Sequence, residues 1–429
     1  MAPPVPWELS RLHGPSEAVM RDRTPDPTDP DMTTGERIKF YRRRKGMTRA
    51  VLAGLVGRNP RWLKAVEDGQ IKRPQLAALQ SLAAALGLKD VGLLVGGEPV
   101  GVDVARGPGH PSLPAVREAI NAVTIPSREP QRLDYLAARV DAAWRARHAA
   151  PDHRTVLGEL LPSLITDARH ASRAYEGADR RRALAILAGA YNVAQFYVAY
   201  QPDAGLLWRI AERTLMAAEE SEDPAAFAAA VWSLAQAHRD AGDFDAAEQV
   251  NRSGLDHLRP RLEGGGDDLR ALWGALHIEA GYTAARAGQR GAAWRWWEDA
   301  DRIAGSLPAG YYQPMTSFSR VIMGAHAVTF AVELRQKGES GRQARGALKS
   351  AIPSRPRRGR HLIEVARAWD LGGDQAATVG TLKDAHRAAP ETIRFNGYAR
   401  RLVADLADSP DRAVRRDARV LADRIGILV

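Results

Sequence analysis

The sequence predicts an all-α protein in two parts, a small five-helix N-terminal domain and a long C-terminal array of helical hairpins. Three observations carry this expectation. Residues 32–95 hold five short apolar segments, each bounded by residues that cap or break a helix. From Gln131 onward the apolar spacing is helical without interruption. Within that stretch a glycine followed five residues later by alanine recurs in register, Gly242 with Ala247 and Gly288 with Ala293.

Taken in order, residues 1–31 contain PDPTDPD and few periodic apolar positions, which predicts a disordered tail, with Met20 and Met32 as alternative starts. Thr33 and Glu36 have the spacing of a capping box, and Gly46 suits the turn beyond a helix of roughly Gly35 to Lys45. Thr48 caps a second helix carrying Val51, Leu52 and Val56, which must stop at Gly57. Asn59 followed by Pro60 is an N-cap with proline at the first helical position, where its missing N–H costs nothing. This third helix turns Leu63 and Val66 inward and closes at Gly69. Pro74 opens a fourth, apolar at Leu76, Leu79, Leu82 and Leu86, and Asp90 leads into a last turn at Leu93 and Leu94. A short helix, a sharp turn and a following exposed helix have the layout of a helix-turn-helix, whose second helix lies in the DNA major groove.

Residues 96–130 read as a proline-rich linker with a short helix near Ala115 to Val123, and 131–429 as the array. Setting Gly242 equal to Gly288 aligns Leu234 with Ala280, Ala235 with Gly281, His238 with Ala284 and Gly254 with Ala300, small residues suited to close helix crossings. Gly373, in a segment ending at Pro390, marks a third good copy, and Gln201 and Gly338 mark degenerate ones.

Composition narrows the function. A chain of 429 residues, 45% apolar and 26% charged, is an ordinary globular composition with room for two or three domains. The absence of cysteine excludes disulfides, Cys-ligated zinc and thiol catalysis. No apolar run approaches the roughly 20 residues of a membrane helix, and the N-terminus lacks a signal-peptide core, so a cytoplasmic, nucleoid-associated protein is expected. HExxH, Walker and GxSxG motifs are absent, and His148, His153 and His170 lack partners at ligand spacing. No enzyme, metal site or cofactor is therefore expected. Charge is distributed unevenly: residues 34–96 hold thirteen basic and four acidic residues, and so +9 of the chain's net +10. A basic run alone is as well explained by a solvated helix face, but inside a capped helix-turn-helix it supplies the phosphate contacts whose counterion release drives binding.

The pattern Arg42, Gly46, Met47, Thr48, Leu52, Ala53, Gly57, Leu63, Val66, Glu67, Gly69 resembles the Xre/Cro type of phage-repressor-like helix-turn-helix. Two positions depart from it, each by adding charge: Arg49 stands where Gln is usual and Arg58 where an apolar residue is usual. With Leu63 and Val66 inward, Pro60, Arg61, Lys64, Ala65 and Asp68 face outward. Arg61 is placed to contact guanine and Ala65 to meet a thymine methyl. Lys64, Arg49, Lys72 and Arg73 suit phosphate contacts, and Asn59 and Pro60 complete the DNA-facing set. Trp62 is read as packing rather than base contact. The resemblance also implies that Arg42 and Glu67 form an internal ion pair joining the first and third helices.

The glycine registers resemble the tetratricopeptide repeat, although spacings of roughly 35 to 50 residues exceed the 34 of that family. The resemblance implies that the first helix of each pair lines a concave face. In that register the inner positions are Tyr191, Gln195, Trp232, Gln236, Arg239, Tyr282, Arg286, Arg335 and Arg367. Amides, aromatics and arginines suit a peptide or small-molecule effector, an arginine meeting a carboxylate; arginines near helix C-termini also offset the macrodipole without any ligand. The WRWW run at Trp294 to Trp297 is read as packing. Together the two parts resemble transcription regulators of actinobacteria and, more distantly, peptide-sensing quorum regulators. That resemblance implies a homodimer on a double-stranded DNA operator; the alternative is an antitoxin-like or scaffold protein whose helical array binds another protein, with DNA binding for autoregulation.

Overall fold

A computed structural model describes residues 32–71, 74, 76–88, 91–96, 109–125, 128–347 and 352–427; the tail expected over 1–31 and the basic pair Lys72 and Arg73 lie outside these. The chain divides into two compact units at Val102 and Asp103. Among the described residues every regular element is helical.

The first unit holds α1 (Thr34–Arg44), α2 (Arg49–Leu55), α3 (Pro60–Glu67), α4 (Leu76–Ala85) and α5 (Gly92–Val95). Local chemistry sets their starts. Thr33 and Glu36 satisfy each other's end of α1, with Thr33 N–H donating to Glu36 Oε2 at 2.8 Å and Glu36 N–H to Thr33 Oγ1 at 3.3 Å. Thr48 Oγ1 accepts from Val51 N–H, and Asn59 Oδ1 from Trp62 N–H at 2.8 Å. The fourth helix begins at Leu76 rather than at the expected Pro74. Ile38, Leu52, Leu63, Val66, Leu79, Leu82, Leu86 and Leu94 form one buried cluster, so the five short helices share a core that none of them has alone. Helix α1 crosses α3 at Gly35, where a Cβ would press into the Val66 carbonyl oxygen; only glycine lets the two backbones meet there.

The second unit opens with α6 (Leu113–Asn121), α7 (Leu133–Ala149) and α8 (His153–Ala174). Pairs follow: α9 (Gly177–Val198) with α10 (Ala204–Ser221), α11 (Pro224–Ala241) with α12 (Phe244–Leu258), α13 (Gly266–Arg286) with α14 (Arg290–Ser306), α15 (Met323–Glu333) with α16 (Lys337–Gly346), and α17 (Arg355–Gly372) with α18 (Gln375–Ala388). Helices α19 (Pro390–Phe395), α20 (Gly397–Ala407) and α21 (Arg412–Ile425) complete it. The repeat glycines end first helices in one conformation, with φ of 82° at Gly242, 79° at Gly288 and 82° at Gly373. Gly254 on α12 stands where a Cβ would lie 2.5 Å from Val231 Cγ1 on α11, a close crossing. Trp294, Trp296 and Trp297 pack on the main core, and Trp297 Nε1–H donates to the Met323 carbonyl at 3.1 Å.

Two features differ from expectation. The helix anticipated within a linker is α6, whose stripe of Leu113, Val116, Ala119 and Ile120 is buried in the core of the second unit. Arg169 on α8 donates to the Ala119 and Ile120 carbonyls and so caps its C-terminus. The concave face, expected to be open, is instead ringed: α7, α9, α11, α13, α15 and α17 pack each on the next, and α17 packs back on α7. Polar contacts stitch this seam. His148 Nε2 meets the Pro314 carbonyl at 2.7 Å and its Nδ1 meets Ser354 Oγ at 2.8 Å. A carbonyl only accepts, so Nε2 carries the proton and Nδ1 accepts from the hydroxyl. Thr155 Oγ1–H donates to Glu391 Oε1 at 2.7 Å beside it.

Candidate functional site

The first unit presents a cationic helix face fixed from within. Glu67, at the end of α3, has a fully buried carboxylate that accepts from Arg42 of α1, Nε to Oε1 at 2.6 Å and Nη2 to Oε2 at 3.0 Å. It also accepts from Arg49 of α2, Nε to Oε2 at 2.7 Å. One carboxylate therefore ties three helices. Burial works against its charge, but the hydrogen bonds from Arg42 and Arg49 outweigh burial and hold its pKa below the ordinary carboxylate value. Arg49, expected at a phosphate, thus has an internal partner, with Asp68 a further 3.7 Å away; its side chain is only 35% exposed.

On the outer side of α3, Arg58, Asn59, Pro60, Arg61 and Lys64 are exposed, Ala65 is half-buried, and Trp62 packs against the core. Asn59 Oδ1 is occupied by its capping bond, which leaves its amide N–H group to donate outward. The Arg58 guanidinium sits over the Trp62 ring, 5.3 Å from its centroid. Among the described residues no carboxylate pairs with Arg58, Arg61 or Lys64, so these cations are available to an anion outside the chain.

In the second unit the first helices surround a cavity of about 180 Å³, continuous in its lining with a neighbouring one of about 350 Å³. Trp232, Gln236, Arg239 and Tyr282 line the first, and Arg239, Tyr282 and Arg286 the second. The other inner-face positions expected from the repeat register lie elsewhere. Tyr191 is buried beside Arg169 and Arg213, and Gln195 Nε2 donates to the Ser233 carbonyl at 2.9 Å, because α9 is covered on both sides by α8, α10 and α11. Arg335 is exposed with φ of 53°. Arg367 lies behind the cavity wall, paired with Glu333 and Glu364 at 2.7 Å each and 3.9 Å from the Tyr398 ring centroid.

The cavity's charges fall into two groups. In one each arginine has its acid. Arg239 pairs with Glu279 and Asp240, and Arg360 lies 2.7 Å from Glu364 while donating to Tyr200 Oη at 2.9 Å and Tyr282 Oη at 3.3 Å. Tyr200 holds the left-handed backbone region, φ 67°, a costly conformation for a side chain of its size. In the other are Arg147, Arg154 and Arg357, which line the cavity together with His153 and His326. Burial, reinforced by the arginine charges, pushes the histidines down, His153 to about 2 and His326 well below its ordinary value, so both are neutral near pH 7. Residue spacing alone did not reveal these arginines, since Arg147 and Arg154 flank the α7–α8 turn and Arg357 sits in the first turn of α17, outside the repeat register.

Among the described residues no three His, Asp or Glu side chains converge on a metal-sized space, and no helix is long and apolar enough to cross a membrane.

Comparison with known proteins follows the division into units. Residues 34–94 match the helix-turn-helix domain family, and this segment is a helix-turn-helix domain. Among solved structures the chain is similar to the apo form of the competence regulator ComR from Streptococcus vestibularis, at 14% identity and a TM-score of 0.26, over 72% of this chain and 99% of that one. No curated protein matches.

Proposed function

We propose that this chain is a sequence-specific DNA-binding transcriptional regulator whose helical array holds a small-molecule or peptide effector and mediates dimerisation. The reading rests on one observation above all: a helix-turn-helix whose third helix and preceding turn display Arg58, Arg61 and Lys64 with no carboxylate partner among the described residues, while Glu67 anchors the helix from behind. Arg61, near the N-terminus of α3, reads a guanine edge and Ala65 a thymine methyl, whereas Lys64 and Arg58 neutralise phosphates. Asn59 and Pro60 bring the backbone at the helix start up to the duplex. Lys72 and Arg73 remain proposed phosphate contacts on sequence grounds. Arg49, clamped to Glu67, reaches a phosphate only with the part of its guanidinium that stays exposed.

Selection of bound duplexes from a random pool, followed by binding of the best duplex and a scrambled one at several salt concentrations, tests this. A preferred, two-part sequence and an affinity that falls steeply with salt are expected. Equal affinity for selected and scrambled DNA would overturn the sequence-specific reading, whereas a specific operator together with a protein that co-purifies with residues 131–429 would favour the autoregulating antitoxin-like or scaffold alternative.

A further inference from the structure

We propose that Arg147, Arg154 and Arg357 form an anion subsite that receives the carboxylate or phosphate of an effector whose apolar body lies against Phe196, Trp232 and Phe318. This rests on the reading that the array holds an effector, and it moves the anion contact away from the arginines that the repeat register singles out.

The distinction is one of pairing. Arg239, Arg360 and Arg367 are each neutralised by a carboxylate within the fold. The other three line the same cavity, and among the described residues no carboxylate pairs with their guanidinium groups. Arg147 lies over the Phe196 ring at 4.1 Å and has only His148 Nδ1, at 3.4 Å, as a polar contact. Arg357 points Nη2 at the His326 ring, 3.2 Å from Nε2 and 3.3 Å from Nδ1. Arg154 donates to the Tyr197 and Ala199 carbonyls, and its Nε, though buried, has no hydrogen-bond partner. His153 Nδ1 beside it makes no hydrogen bond and lies 3.8 Å from Glu391 Oε2, and the buried hydroxyl of Tyr312 makes none either.

Glu391 is the carboxylate whose charge acts on Arg154. Its two oxygens accept from the Arg154 backbone N–H and from Thr155 Oγ1–H, so it offsets part of the charge of one arginine and pairs with none of the three guanidinium groups. Burial, reinforced by the charges of Arg154 and Arg357, pushes Arg147 down to about 9, and burial, against the pull of Glu391, pushes Arg154 to about 10. Buried cations are kept in proteins when something pairs them, and among the described residues no carboxylate does so here. An anion placed between the guanidinium groups would supply it, accepting charge-assisted hydrogen bonds from several donors at once. The aromatic and aliphatic remainder of the lining suits a ligand with one anionic end, and the space of about 180 Å³ admits a small aromatic acid.

Benzoate and phenyl phosphate serve as probes, with benzamide as the neutral counterpart, each titrated into the full chain at constant ionic strength by calorimetry and thermal melting. At least one anion is expected to bind saturably and raise the melting temperature, benzamide to do neither, and inorganic phosphate to compete. Which anion wins separates a carboxylate effector from a phosphorylated one. Arg147→Met and Arg357→Met should each weaken the anion by about tenfold, the loss of one charge-assisted contact, while Arg252→Gln on the outer surface leaves it unchanged. Because Arg147→Met removes an unpaired buried cation but keeps the packing on Phe196, it should also raise the melting temperature without ligand. Benzamide binding as well as benzoate, anion binding indifferent to both variants, or no binding of either anion to wild-type chain would each overturn the subsite. Should the variants fail to fold, the wild-type comparison of benzoate, benzamide and competing phosphate still decides. Anion binding that leaves operator affinity unchanged would count against effector control while the subsite stands; operator affinity that responds only to a neutral ligand would do the reverse.

Discussion

Glu67 shows how one buried side chain can govern a surface it never reaches. Its carboxylate holds Arg42 and Arg49, and through them fixes the pitch of α3 against α1 and α2. Glu67→Ala would leave two arginines without their partner, one of them buried, and should cost the first unit about 3 kcal/mol, read as a lowered denaturation midpoint of α1 to α3 in hydrogen exchange. The same group makes this unit acid-sensitive. A folded-state pKa below the unfolded 4.5 contributes stability that is fully present above that value and is lost as pH falls through the folded one. Exchange protection of α3 should therefore drop on acidification below about pH 4.5, and Glu67→Gln should flatten that dependence. On the outer face the two kinds of contact separate by experiment. Arg61→Ala should relax preference at one base pair, whereas Lys64→Ala should weaken all sequences alike and reduce the salt slope by about one. Equal losses on cognate and scrambled DNA for Arg61→Ala would contradict its base-reading role.

At the scale of elements, what was legible in the sequence was whatever is decided within a few residues. Thr33, Thr48 and Asn59 start their helices because their side chains reach amides three positions on, and Gly242, Gly288 and Gly373 follow the ends of theirs because the backbone there needs a positive φ. Such signals survive without knowledge of the fold. The placement of α6 was not legible in this way, since prolines and glycines around it suggest a linker while the stripe that anchors it needs α8 to be meaningful. Nor was Gly35 readable as a contact, although the crossing of α1 and α3 turns on it. Gly35→Ala should drive these helices apart and destabilise the first unit by about 1–3 kcal/mol, as overpacking does, with α3 losing protection first. Asn59→Ala, by contrast, removes only a cap and should cost about 1 kcal/mol.

For the molecule as a whole, the repeat register points to helices that line the cavity but not to Arg147, Arg154 and Arg357, which line it too. Spacing along one helix says which residues share a face; it does not say which of them have acids waiting on the helix opposite. Arg239 and Arg367 have acids, Glu279 and Glu333, on neighbouring helices, and Arg147 on α7 comes to the same cavity as Arg357 on α17 because these two helices pack together. That seam is testable. His148→Ala removes the bonds to Ser354 and Pro314 and should cost about 1–2 kcal/mol, with faster hydrogen exchange in α7 and α17 and none in α1 to α5.

The seam also changes how the array gains and loses its structure. An open stack of hairpins behaves as a row of nearly independent blocks, free to nucleate anywhere and to unravel from either end. Here the ends are joined by bonds between partners 206 and 237 positions apart, His148 with Ser354 and Arg154 with Glu391. Contacts of such long range form late, after the entropy of closing the loop has been met, so the array should fold slowly for an all-helical protein. Once closed, neither end is free to fray. The second unit should melt in one sharp transition, and cutting the seam with His148→Ala should broaden that transition as well as lower it.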